Sequence, residues 1–165
     1  MNDKSPFDFD AFLLLAGRLN YAWTNTESLL IHLIAGQAKV DKETATIIFL
    51  TLNTARARID LVERLAKMPD RATTERDAII ACTQKMLRLS ALRNRYNHCI
   101  YAFDTDGGNP RSILMRIADR RDGLKMGQSS DIDQEALDNM NDAIQSLSNL
   151  NTRIWSVVKQ YGYPA

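Results

Sequence analysis

Cysteine is scarce in this chain, with two among 165 residues. Cys82 and Cys99 fall on one helical segment, too far apart along it to bridge each other. Both sit among apolar neighbours, so they read as buried free thiols, and a disulfide scaffold is excluded. That usage fits a reducing, cytoplasmic setting. Long apolar runs are also missing. Leu29 to Ala35 is short and contains His32, so no stretch approaches the length of a membrane span and no membrane partner is expected. The segment Met1-Asn2-Asp3-Lys4-Ser5-Pro6 is polar and lacks the basic-then-apolar order of a signal peptide. No excess of one charge is present either. The formal net charge is +1, so bulk basicity does not argue for nucleic acid.

Several chemistries lack their residues. No Glu-x-x-His pair occurs, which leaves a di-metal carboxylate bundle unsupported. No Cys-x-x-Cys or paired-histidine spacing suits zinc. No Gly-x-x-x-x-Gly-Lys loop can cradle nucleotide phosphates, and a serine hydrolase triad has no support. Neither a metal nor another cofactor is expected. Internal repeats, heptad arrays of coiled-coil length and low-complexity segments are absent from the sequence.

What is present is helical periodicity. Hydrophobic residues make up 45% and charged residues 25% of the chain, ordinary for a globular domain with a real core. Phe9, Phe12, Ala16, Leu19, Trp23, Leu30 and Leu33 form one stripe, predicting a helix from about Asp8 to Gly36, with Gly36 as its stop. A second helix is expected from about Lys42 to Lys67, carrying Ile48, Leu52, Ala55, Ile59 and Val62 on one face and ended by Pro69. A third begins near Thr73 or Thr74 and continues to about Phe103. A fourth begins near Asp133, where Ile132 can staple onto Leu137. Between the last two, Asp104 to Pro110 reads as turns. Ser112 to Ala118 and Leu124 to Met126 can then form a small β-hairpin around Arg120-Arg121-Asp122-Gly123. The expected fold is all-α: an antiparallel four-helix bundle, with or without that hairpin, in a single domain over residues 1–165 whose core spans about 8–160.

One stretch departs from ordinary core patterning. In Leu92-Arg93-Asn94-Arg95-Tyr96-Asn97-His98, the apolar stripe Ile79, Cys82, Met86, Leu89, Tyr96, Ile100 and Phe103 reaches Arg93 where an apolar residue is due. A neighbouring row runs Ile80, Leu87, Ala91, Asn94, His98. Three polar side chains are thus expected on the packed side. A buried unpaired charge costs several kcal/mol (about 3–5 when one partner is missing), so Arg93 needs either a structural partner or a site around it.

Arg-Asn-x-x-x-His near the end of a long core helix, in a helical chain of this size, resembles the HEPN domain family (higher eukaryotes and prokaryotes nucleotide-binding). Four residues separate Arg93 from His98, and Asn94 fills the polar position after the arginine. Ala22-Trp23-Thr24-Asn25-Thr26-Glu27-Ser28-Leu29 is similar to a Trp…Asn-x-Glu pattern of small bacterial members. A toxin subgroup carries Arg-x4-His-x-Tyr. Here Cys99, Ile100 and Tyr101 follow His98, so Tyr101 is one place late and does not take that subgroup's role. An antitoxin partner is not implied.

The resemblance implies a metal-independent endoribonuclease of toxin, stress or defence character. His98 would act as acid or base, Arg93 would clamp phosphate and Asn94 would position. These residue types suit that chemistry. Histidine ordinarily titrates near neutrality, and an arginine fork holds phosphate with several charged hydrogen bonds. Five residues at about 100° each place Arg93 and His98 roughly 140° apart on one helix. Two such helices packed antiparallel would bring Arg93 of one copy toward His98 of the other, so a homodimer with a composite cleft is expected.

Charge along the segment agrees. From Ala78 to Phe103 there is no acidic residue, while Lys85, Arg88, Arg93 and Arg95 are basic. The hairpin region adds Arg111, Arg116, Arg120, Arg121 and Lys125 against Asp119 and Asp122. RNA or a nucleotide is the expected partner, with Arg88, Arg95, Tyr101 and Glu27 as further substrate-binding candidates. Arg88 and Arg95 read equally well as a solvated helix face, and Glu27 as one half of a structural ion pair. Asn20 is a weaker polar candidate and His32 is unassigned. Two other readings remain open: a HEPN-like module that binds RNA or nucleotide without cleaving, and a helical interaction protein in which Arg93 and His98 complete a buried network.

Overall fold

The computed structural model describes residues 8–165; the polar N-terminal segment read above lies outside them. Six helices and three strands follow one another in the described chain: α1 (Phe9–Ser28), α2 (Leu30–Ala38), α3 (Lys42–Thr51), α4 (Ala55–Ala66), α5 (Thr73–Asn97), β1 (Cys99–Ala102), β2 (Arg111–Arg120), β3 (Gly123–Asp131) and α6 (Gln134–Gln160). The three strands form one antiparallel sheet in the order β1-β2-β3. The expected all-α four-helix bundle is therefore corrected to a mixed helix-and-sheet fold. The hairpin around Arg121-Asp122 is present but longer than the sequence indicated, and it gains a third strand.

That third strand replaces the expected end of helix three. Tyr96, Ile100 and Phe103 keep a three-and-four spacing, but the chain leaves the helix at Asn97. Cys99 to Ala102 then pairs with Leu114 to Arg111. Cys-Ile-Tyr-Ala is short enough to satisfy either period, and its aromatic and β-branched residues suit a pleated surface. Pairing with β2 decides the matter.

Two further breaks divide expected helices. Leu29 interrupts the first: its N–H bonds to Thr26 O at 3.2 Å and its carbonyl accepts from His32 at 3.1 Å. The run before it is rich in Thr, Asn and Ser, and the Thr26 and Ser28 hydroxyls bond back to Ala22 and Asn25 carbonyls, which weakens the helical ladder. The second helix breaks after Thr51. Thr54 then caps α4 by accepting from Ala57 N–H at 3.1 Å, as Asp41 caps α3 at Thr44. The α6 cap is where the sequence put it. Asp133 accepts from Ala136 N–H at 3.0 Å, and Ile132 beside it is buried.

The described chain divides into two compact units, one of residues 8–21 with 91–144 and one of residues 22–90 with 145–165. In the first, Phe12, Leu19, Tyr96, Ile132 and Met140 are buried. Phe9 and Phe12 meet Tyr101 edge-on at 5.7 and 5.5 Å, and Phe12 meets Tyr96 at 5.6 Å. Such edge contacts add to the burial of each ring. In the second, Trp23, Leu30, Leu33, Ile34, Ile59, Val62, Ile79, Met86, Leu147 and Ile154 are fully buried. Of the stripe read on the first helix, Phe12, Leu19, Trp23, Leu30 and Leu33 are thus core residues. No described helix is long and apolar enough to cross a membrane.

Gly36 does not stop its helix. α2 continues to Ala38 and ends on Lys39, which adopts the left-handed conformation (φ 56°) and bonds to Ala35 O. A Cβ on Gly36 would instead run into the Tyr163 ring. An open helical Gly→Ala change adds about 1 kcal/mol of stability. Gly36→Ala is expected to do the reverse and lose about 1–3 kcal/mol through overpacking, read from urea unfolding. A gain in stability would show that Tyr163 does not require the glycine.

Candidate functional site

The last turns of α5 and the sheet beside them enclose a cavity in the first unit. α5 ends at Asn97, β1 starts at Cys99, and His98 is the joint. Its N–H makes a last helical bond to Asn94 O at 3.2 Å, and its carbonyl accepts from Met115 N–H at 3.3 Å. The histidine is therefore fixed through its backbone to both helix and sheet, while its side chain is exposed.

β2 carries an irregularity at the same level. Leu114 pairs with Gln128 and Ile117 with Met126, so Met115 and Arg116 together oppose Gly127. Two residues opposite one is a bulge, which bends a strand and redirects its side chains. Gly127 accommodates it with a positive φ of 66°. Met115 and Arg116 both reach a cavity of about 400 Å³. Ala91, Asn94, Arg95 and His98 line its helical side, and Ser112, Leu114, Gln128 and Ser130 its sheet side. Ser112 and Leu114 alternate along β2 and Gln128 and Ser130 along β3, so one sheet face supplies all four.

The lining holds two arginines, a histidine, two amides and two hydroxyls, and no carboxylate among the described residues. Those groups offer fixed cations and hydrogen-bond donors, a surface complementary to a phosphoryl group.

Arg93 does not line this cavity. It is half-buried and its Nη1 donates to Asn94 Oδ1 at 3.0 Å. The Asn97 amide, oriented with its oxygen toward Arg93, accepts from Nε at 3.0 Å and Nη2 at 3.2 Å. Asn20 lies 3.0 Å from the same amide. Arginine has donors only, so the Asn94 atom facing it is the oxygen. The Asn94 NH₂ is thereby left as the donor for the cavity. Arg93 thus acts on the site through Asn94. The expectation that Arg93, Asn94 and His98 all face packed core is corrected, because Asn94 and His98 are exposed. At the end of a helix that turns into an edge strand, the row they occupy meets a cleft rather than a neighbouring helix.

The four substrate-binding candidates separate. Arg95 lines the cavity. Tyr101 does not: its ring packs on Phe9 and Phe12, and its hydroxyl donates to Tyr96 O at 3.0 Å. Burial, then the neighbouring Cys99 thiol and Tyr96, push its pKa well above the usual phenol range. The Tyr96 phenol is likewise raised by burial, with nearby Arg95 opposing.

Glu27, in the second unit, is structural. Its carboxylate accepts from Trp23 Nε1 at 2.8 Å and pairs with Arg58 at 2.8 Å. Arg58 also donates to Phe49 O and stacks over the Phe49 ring. The Trp-x-x-x-Glu spacing in α1 is thus an i,i+4 contact that holds a buried ion pair. Arg88 lines a different groove of that unit, with Lys85 and Arg153. His32 is buried against Trp155, and its Nδ1 lies 2.7 Å from Pro164 O. A carbonyl only accepts, so Nδ1 carries the proton.

The sequence left the sheet side of the cavity unassigned. Ser112, Gln128 and Ser130 are common strand residues with no motif, and Arg116 stood out only as one charge among several. Comparison with family models, curated proteins and solved structures finds no match to this chain.

Glu27→Ala is expected to cost about 3–5 kcal/mol, because the Arg58 charge loses its buried partner. His98→Ala, at an exposed joint held by backbone bonds, should stay within about 0.5 kcal/mol of wild type. Urea titration of both variants checks the contrast, and a large loss on His98→Ala would make that residue structural rather than free for chemistry.

Proposed function

We propose that the chain is a metal-independent, HEPN-like endoribonuclease that binds RNA in the His98 cavity. The observation that carries this reading is His98 sharing one cavity with Arg95, Arg116 and the Asn94 amide, with no carboxylate in the lining. The Arg-Asn-x-x-x-His resemblance supports it. Cleavage by 2′-hydroxyl attack forms a bond from O2′ to phosphorus and breaks the bond to O5′. A base takes the 2′ proton, an acid returns one to O5′, and the products are a 2′,3′-cyclic phosphate and a 5′-hydroxyl. In this reading His98 carries out one of these transfers. Arg95 and Arg116 hold the non-bridging oxygens as negative charge grows on the phosphorane. Asn94, its amide fixed by Arg93, donates to the phosphate or orients the attacking hydroxyl. The clamp role that the family resemblance gives Arg93 passes in one chain to Arg95 and Arg116.

One chain lines the cavity with a single histidine, and acid–base cleavage takes two proton-transfer groups. In this reading the protein works as a homodimer whose second copy supplies the other group. The same count favours a second reading, an RNA-binding module without cleavage, should the chain act alone. The free thiols Cys82 and Cys99 support a reducing, cytoplasmic location.

Incubation of wild-type protein with mixed RNA in EDTA should release fragments bearing 2′,3′-cyclic phosphates. His98→Ala is expected to slow this by about 10²–10⁴-fold, and Arg95→Ala with Arg116→Ala to weaken RNA binding by roughly 10-fold or more. A protein that is monomeric at micromolar concentration and leaves RNA intact would replace this reading with the binding module.

A further inference from the structure

The second unit holds a basic groove that the cleavage chemistry does not use. Lys85 and Arg88 on α5 face Arg153 on α6 across a depression of about 360 Å³. Gln84, Ser146 and Asn149 add amide and hydroxyl groups, and buried Leu150 lies beneath. No acidic side chain lines it, and none of its three cations forms a salt bridge among the described residues. The acid-paired arginines of the same unit, Arg56, Arg58 and Arg76, show the usual alternative.

This arrangement is electrostatically unfavourable alone. Lys85 and Arg88 stand at i and i+3, where like charges repel, and a third cation approaches from the other helix. An anion in the groove would add an attraction to each cation and offset the repulsion among them. Two arginine forks and a lysine match the oxygens of a phosphodiester. The rim residues Gln84, Arg88, Asn149 and Arg153 are exposed. The groove therefore lies open along two helices, which gives a strand entry and exit, whereas a closed pocket would suit a small phosphate.

We propose that this α5–α6 groove is a second phosphodiester-binding site, occupied by the backbone of single-stranded RNA. The proposal rests on the RNA-binding part of the function above and is independent of cleavage. It needs no base recognition, because Arg and Lys contacts to phosphate carry no sequence information.

A fluorescent 2′-O-methyl oligonucleotide of about twelve residues tests it, since a blocked 2′-hydroxyl cannot attack and binding is read without chemistry. The Arg88→Gln/Arg153→Gln double variant is compared with wild type and with Arg56→Gln/Arg76→Gln, which removes two charges elsewhere on the same unit. Circular dichroism checks folding. At about 150 mM salt the groove variant is expected to bind about 10-fold more weakly, and its slope of log K against log salt should fall by about 1.4, two contacts at about 0.7 each. The control should match wild type. Equal affinity and slope in groove variant and control would overturn the proposal, as would a wild type that binds no oligonucleotide. Weaker binding by the groove variant in a protein that never cleaves RNA would uphold the groove while removing the ribonuclease reading.

Discussion

The pairing of β1 with β2 is the constraint on which the candidate site depends. Cys99 to Ala102 could extend α5 on periodicity alone, and then His98 would be one more residue of a helix. Pairing with Leu114 to Arg111 turns the chain at His98 and holds the hairpin beside the last two turns of α5. The bulge at Met115 and Arg116 follows from the same register, because β1 and β3 both grip β2 on the near side of it. A helix end, a joint and a bulge thereby bring Asn94, Arg95, His98 and Arg116 to one cavity. A slip of one residue would send Ser112 and Leu114 to the opposite face and take both out of the lining.

Polar side chains do different work in the two units. Glu27 is surrounded by donors, Trp23 and Arg58, and Arg58 is in turn satisfied by Phe49. Such a closed network has little left to offer a ligand and fixes α1 against α4 within its unit. The cavity of the first unit is arranged differently. Its cations have no carboxylate among the lining residues, and the Arg93 to Asn94 bond aims a donor inward. Buried and mutually satisfied groups read as structure, whereas exposed groups of one sign around a cavity read as a place for the opposite charge.

The boundaries of legibility follow from range. Thr54, Asp41 and Asp133 cap helices through contacts three residues away, and such signals lie in the sequence whether or not each is weighed. The break at Thr54 is an example, since its capping chemistry was present inside an otherwise periodic run. Tyr101 shows the opposite case. Its one-place shift from the family pattern was visible, but its removal from the site depends on Phe9 and Phe12, some ninety residues away in sequence. Gly36 was read as a helix stop, but the helix runs on to Ala38, and what meets the glycine is the Tyr163 ring, more than a hundred residues away in sequence.

By itself the sequence determined the helical stripes, the absence of metal-ligand and P-loop spacings, and the Arg93-Asn94-x-x-x-His98 cluster with its acid-free surroundings. These are local or periodic properties, written in residue type and spacing. Only the tertiary structure decided that a third strand joins the hairpin, that Arg93 serves Asn94 instead of the cavity, that Arg116 joins His98, and that Glu27 belongs to Arg58. Each of those outcomes turns on which of several available partners a side chain or strand meets. Strand register and ion pairing are set by the free energy of the whole packed arrangement, so no single segment carries them.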